Sequence, residues 1–271
     1  MKYGICNEIF RDWPWDKIVR SVSDLGYNGI EIAPFTLADS AGRVSPGKRK
    51  SLVRLAQEHN LEIIGLHWLL KSPSGLSLSS PEPQVRKRTV NRLKELIGLC
   101  ADLGGKIMVF GSPEQRAIFP GTSRETVYGY LRDSFAEILP RAAENGVVIA
   151  LEPLARKETN FVNTAAEAIA MIKDLNHPNF LLHLDVKAMS DEEKSVPEII
   201  AAADGLLAHF HANDPNLLGP GFGVVNYRPI KAALADIHYQ GYLSVEVFDF
   251  RLPPETVAGE SINYLKGIFE D

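Results

Sequence analysis

Cysteine is scarce in this chain. Of 271 residues only Cys6 and Cys100 are cysteines, far apart and without a CxxC pair, which gives no basis for a disulfide framework or a thiolate zinc site. Two buried free thiols in a reducing compartment are expected. Long apolar runs are missing as well, since no window approaches the roughly 20 residues of a membrane-spanning helix. The opening stretch, MKYGICNEIF, enters an alternating apolar run and lacks the extended hydrophobic stretch of a secretory leader. A cytoplasmic location without a membrane partner is expected. There is no surplus of positive charge either. Lys and Arg number 29 against 34 Asp and Glu, a formal net charge of -5, so the clustered basic excess that a phosphate backbone selects is absent and nucleic acid is not an expected partner. No GxGxxG or Walker-type loop appears, and nucleotide cofactors are not expected.

What the chain does have is alternation. With 45% hydrophobic and 23% charged residues it can bury a large core. Short runs rich in β-branched residues recur at Lys2 to Cys6, Gly29 to Ala33, Leu61 to Leu66, Lys106 to Phe110, Val147 to Leu151, Phe180 to Asp185, Leu206 to His211 and Leu243 to Phe248. Between them, apolar residues take i, i+3, i+4 spacing, as in Leu93, Leu96, Ile97 and Leu99 or Ala165, Ala168, Ile169 and Ile172. Leu25-Gly26, Leu103-Gly104-Gly105, Asn145-Gly146 and Gln240-Gly241 read as left-handed helix stops before the next strand. Strand and helix alternating in this way fill one α/β domain over residues 1–271, a (β/α)8 TIM barrel. Two loops, Lys71 to Pro83 and Asn213 to Gly223, follow strands three and seven on the C-terminal face, where barrel enzymes keep their active sites.

Four polar residues close the last four strands: Glu152 in VVIALEP, Asp185 in LLHLDV, His211 in LAHFHAND and Glu246 in LSVEVFDF. A carboxylate at the end of an apolar strand must stay at the solvated rim or find a cation. Three carboxylates and an imidazole converging on one mouth make an oxygen-rich site for one divalent metal ion, Mn2+ first, with Mg2+, Co2+ and Zn2+ as alternatives. His67, in IGLHWLL, ends strand three and points toward that mouth or packs in the core. Arg116, in FGSPEQR, reads equally as a clamp for a carboxylate or phosphate and as a rim salt bridge. His183 and His209 lie two positions before Asp185 and His211, one layer deeper, and are expected as hydrogen-bonded core histidines. Trp13, Trp15 and Trp68 flank the first and third strand ends, as an aromatic wall for a sugar or as packing.

The order LEP, LD, HxND and SVEVF resembles the sugar isomerase and epimerase superfamily with the xylose isomerase-like TIM barrel. That superfamily includes the D-tagatose 3-epimerase group, hydroxypyruvate isomerase and the inositol-catabolic isomerases. The resemblance covers essentially the whole chain and implies that Glu152, Asp185, His211 and Glu246 hold the metal. It implies further that Glu152 and Glu246 act as acid and base on a small sugar, keto-sugar or polyol derivative, through a metal-stabilised enediolate. Glu158, in EPLARKETN, matches a family acid that contacts substrate or orients the first glutamate. A homo-oligomer is compatible with the family.

The chain also departs from the pattern. Ala188 and Leu217 stand where ketose 3-epimerases of this superfamily carry a histidine and an arginine that bind the substrate's first carbons, which leaves Lys187 as a neighbouring donor. Gly111 and Ala188 stand where the related endonuclease IV has further ligands, so a mononuclear site is expected. Expulsion of a leaving group at the same centre, giving a lyase or dehydratase, is the alternative outcome, and a non-catalytic sugar-binding barrel is a third.

Overall fold

The computed structural model describes residues 1–270. Eight strands, β1 Lys2–Cys6, β2 Gly29–Ile32, β3 Glu62–Leu66, β4 Ile107–Phe110, β5 Val148–Leu151, β6 Phe180–Asp185, β7 Leu207–Ala212 and β8 Tyr242–Val245, pair in sequence order. The last returns to the first in parallel, so the sheet is closed. Among the described residues ten α-helices run between and after them: α1 Trp15–Asp24, α2 Pro46–Glu58, α3 Pro83–Asp102, α4 Pro113–Arg116, α5 Arg124–Glu144, α6 Ala165–Leu175, α7 Val186–Met189, α8 Val196–Ala202, α9 Tyr227–Asp236 and α10 Pro254–Phe269. The expected (β/α)8 TIM barrel is the observed fold. Among the described residues no helix is long and apolar enough to cross a membrane.

Local chemistry sets the helix ends. Ser45, Ser123 and Thr164 accept the backbone N–H three residues on and cap α2, α5 and α6, while prolines open α2, α3 and α10, where a missing N–H costs nothing. Gly26, Gly104 and Gly146 stop α1, α3 and α5 at positive φ, as their spacing predicts. After α9 the left-handed residue is His238 and not Gly241. Gly241 answers a different demand, because a Cβ there would sit 2.3 Å from the Tyr239 hydroxyl.

Outward-facing strand residues pack against the inner stripes of the helices, as where the rings of Phe110, Phe135 and Phe180 meet from β4, α5 and β6, the first two edge to face. Register then levels the strand ends. Asp185 of β6 pairs with His211 of β7, which pairs with Ser244 of β8, while Cys6 of β1 pairs with Glu31 of β2. β8 ends at Val245, earlier than the sequence suggests, and so leaves Glu246 just beyond the ladder.

Candidate metal centre

Glu152 follows β5, Asp185 ends β6, His211 lies in β7 and Glu246 follows β8, so parallel strands in register deliver all four to one level of the mouth. One ligand atom from each lies within 4.8 Å of the others, and all four residues are buried. Burial pushes the Glu152 carboxyl well above its usual range, and the negative charges of Glu246 and Asp185 add to the effect. Burial also raises Asp185, against the pull of Lys187. For Glu246 burial is outweighed by the imidazoles of His211 and His67, which hold it well below the carboxylate norm. Three carboxylates thus crowd a space with too little positive charge for all of them.

A divalent cation fits this space. His211 Nδ1 lies 2.9 Å from Glu246 Oε2 but makes no well-formed hydrogen bond, a buried nitrogen aimed into a ring of carboxylates. Its other nitrogen, Nε2, lies 3.2 Å from Glu31 Oε1. Oxygen donors with one imidazole suit a hard or borderline ion.

Neighbouring groups fix the four side chains. Asp185 Oδ1 accepts the Ala188 N–H at 2.8 Å and Oδ2 accepts from the Asn213 amide, whose own oxygen accepts the Lys187 N–H at 2.8 Å. Gly111 gives Glu152 room, because a Cβ there would lie 2.3 Å from Glu152 Oε2. Trp68 Nε1 donates to Glu246 Oε1 at 2.9 Å, and His67 Nδ1 lies 3.4 Å from the same oxygen. His67 Nε2 sits 3.0 Å from Glu8 Oε2. Burial works against an imidazolium at His67, yet Glu8 and Glu246 outweigh it and push its pKa up to about 10.

Above these groups lies a cavity of about 210 Å3, lined among others by Glu152, Glu246, Glu158, Lys187, Trp68 and Phe248. Lys187 Nζ pairs with Glu158 Oε1 at 2.7 Å and lies 3.9 Å from the centre of the Phe248 ring. His67 also reaches the cavity.

Arg116 does not face this space. It is fully buried, and its guanidinium donates to the carbonyls of Glu152 and Val162, so a substrate clamp gives way to a bridge between backbone segments. His209 is the hydrogen-bonded core histidine expected of it, with Nε2 2.7 Å from Glu31 Oε1. His183 is not, since neither ring nitrogen has a partner among the described residues. Trp15 is a packing residue whose Nε1 donates to the Leu52 carbonyl at 3.1 Å, and only Trp68 of the three tryptophans lines the cavity.

Sequence reading passed over Glu31 and Glu8, and it quoted Asn213 only in the HxND motif and as a loop boundary, without a role. Glu31 carried a signal, being the lone charge inside the apolar run GIEIA. Glu8 carried less, because only the fold brings it to His67.

The family described as xylose isomerase-like TIM barrel matches residues 19–268. The chain belongs to that family. It is 30% identical to the D-psicose 3-epimerase of Ruminiclostridium cellulolyticum over 259 residues, which cover 92% of this chain and 84% of that protein. It is 28% identical to the L-ribulose 3-epimerase of Methylomonas sp. (strain DH-1), over 86% of this chain and 78% of the relative. Among solved structures, an L-ribulose 3-epimerase superposes with a TM-score of 0.87 at 22% identity, covering 99% of this chain and 94% of that one. The D-psicose 3-epimerase of Clostridium cellulolyticum H10, solved with D-tagatose, gives 0.86 at 23% identity over 99% of both chains. At such identities the superpositions establish the shared barrel.

Proposed function

We propose that this protein is a divalent-metal-dependent epimerase of a small ketose or related keto-sugar, with Glu152, Asp185, His211 and Glu246 holding the ion. The observation that carries the reading is the convergence of these four ligand atoms within 4.8 Å beside a sugar-sized cavity into which both glutamates open. The relatives named as ketose 3-epimerases support the enzyme class.

A divalent ion in this site would withdraw electrons from the substrate's carbonyl and hydroxyl oxygens and acidify the C–H between them. Glu152 and Glu246 reach the cavity from strands three apart around the barrel, so their carboxylates approach a sugar from different sides. Both carboxylates open into the cavity and both stay ionised beside a bound cation, so one takes the substrate's proton and the other returns one. Lys187 and Glu158 are offered to sugar hydroxyls as donor and acceptor, while Trp68 and Phe248 cover apolar C–H faces. Ala188 is buried and Leu217 lies outside the cavity lining, so neither position offers a polar group to the substrate's first carbons.

The test is incubation of the Mn2+-loaded protein with D-fructose, D-psicose, D-tagatose and L-ribulose in deuterated water, followed by chromatography and mass analysis. The expected product is a C-3 epimer carrying one deuteron, lost on chelation of the metal and in Glu246→Gln. An elimination product, or full activity in Glu246→Gln, overturns the reading.

A further inference from the structure

His67 and Trp68 are consecutive, yet both reach the same oxygen of Glu246. In extended chain, neighbouring side chains point to opposite faces, so one of the two should face away. The backbone at Trp68 resolves this. Its φ is +52°, in the left-handed region that a bulky side chain rarely adopts, and that conformation swings the indole back over the mouth. The ring is held there between Phe35 and Phe248, with centroids 5.9 and 6.2 Å away. A strained conformation persists where its surroundings over-determine it, and such positions cluster at functional sites.

The indole N–H is used for one contact, the 2.9 Å donation to Glu246 Oε1. The other carboxylate oxygen, Oε2, is the one beside His211 Nδ1. We infer that Trp68 is a positioning residue: its N–H fixes the rotation of the Glu246 carboxylate, so that Oε2 faces the ligand cluster and Oε1 is kept toward the cavity. The ring's covering of the cavity is a separate service that phenylalanine could supply. The kinetic consequence rests on the proposed epimerase reading. The effect on metal binding rests only on the four-ligand site, whatever reaction it serves.

The test is Trp68→Phe, which keeps an aromatic ring and removes the donor. Expected are a kcat about 10 to 100 times lower and a Mn2+ affinity about tenfold weaker in calorimetric titration, with KM for the sugar within about threefold of the parent. Unchanged kcat and Mn2+ affinity overturn the inference. A change in KM alone does so too, because it leaves the indole as a wall. If the parent protein turns over no sugar, the epimerase reading fails and the Mn2+ titration by itself decides Trp68. Should Trp68→Phe not fold, β-(3-benzothienyl)alanine at position 68 is judged by the same criteria, since it keeps the bicyclic shape and replaces the N–H with sulfur.

Discussion

Glu31 Oε1 lies 3.2 Å from His211 Nε2 and 2.7 Å from His209 Nε2, so one buried carboxylate on β2 grips two imidazoles on β7. Burial opposes its ionisation, but the two histidines outweigh that cost and hold it well below the usual carboxylate range. The grip fixes which nitrogen of His211 turns upward. A carboxylate behind a ligating imidazole orients the ring and raises its basicity.

Glu31→Gln should therefore weaken Mn2+ binding by about 10 to 100-fold while leaving far-UV circular dichroism unchanged. Calorimetric titration of metal into the metal-free protein reads this directly. Parent affinity in the variant would show that His211 needs no such support.

Gly111 gives a second test, one that separates placement of Glu152 from its presence. An added Cβ would fall 2.3 Å from Glu152 Oε2 and 3.4 Å from its carboxyl carbon. The obstacle is the far end of a flexible side chain, so the barrel keeps its shape and the carboxylate moves. Gly111→Ala should lower kcat by about 100-fold, since an ångström of misplacement is costly in catalysis, with little change in the urea midpoint. A large loss of stability with normal kcat per folded molecule would contradict this.

The barrel was legible because its signals are local. β-branched runs, helical spacing and glycine stops each act over a few residues, and the residues ending β5 to β8 stand out as charges closing apolar runs. The supports of those residues were harder to see. Glu31 and His209 are 178 positions apart, as are Trp68 and Glu246, and only barrel closure brings them together. Arg116 was misplaced for a related reason. Its position after β4 suggested the mouth, but its guanidinium could satisfy buried carbonyls on the next strand's loop, and a buried charge takes such partners first.

Cys100 carries a prediction about alkaline pH. Both cysteines are free and buried, and burial pushes the Cys100 thiol from 9.0 up to about 12. A group whose pKa is raised on folding contributes stability that is intact below its unfolded value and lost as pH climbs through the folded one. The urea midpoint should thus fall between pH 9 and about 12, and Cys100→Ala should make that fall shallower. Neither thiol should react with a disulfide reagent at about pH 8 until the protein is unfolded, because the thiolate is the reactive form. Rapid labelling of the native protein would count against this placement of the thiols.

Arg116 separates structural support from substrate contact. Its Nη1 and Nη2 donate to Glu152 O and Val162 O, tying the segment that carries Glu152 to the loop ahead of α6. Burial disfavours its charge and lowers its pKa to about 10, against the attraction of Glu152 and Glu158, so the guanidinium is retained for the geometry of its fork. Lysine cannot span two carbonyls. Arg116→Lys should cost about 1.5 to 3 kcal/mol of stability in urea denaturation, the range for hydrogen bonds to a charged group, and KM for the sugar should stay at the parent value in the folded fraction. A raised KM with unchanged stability would place the guanidinium on the substrate instead.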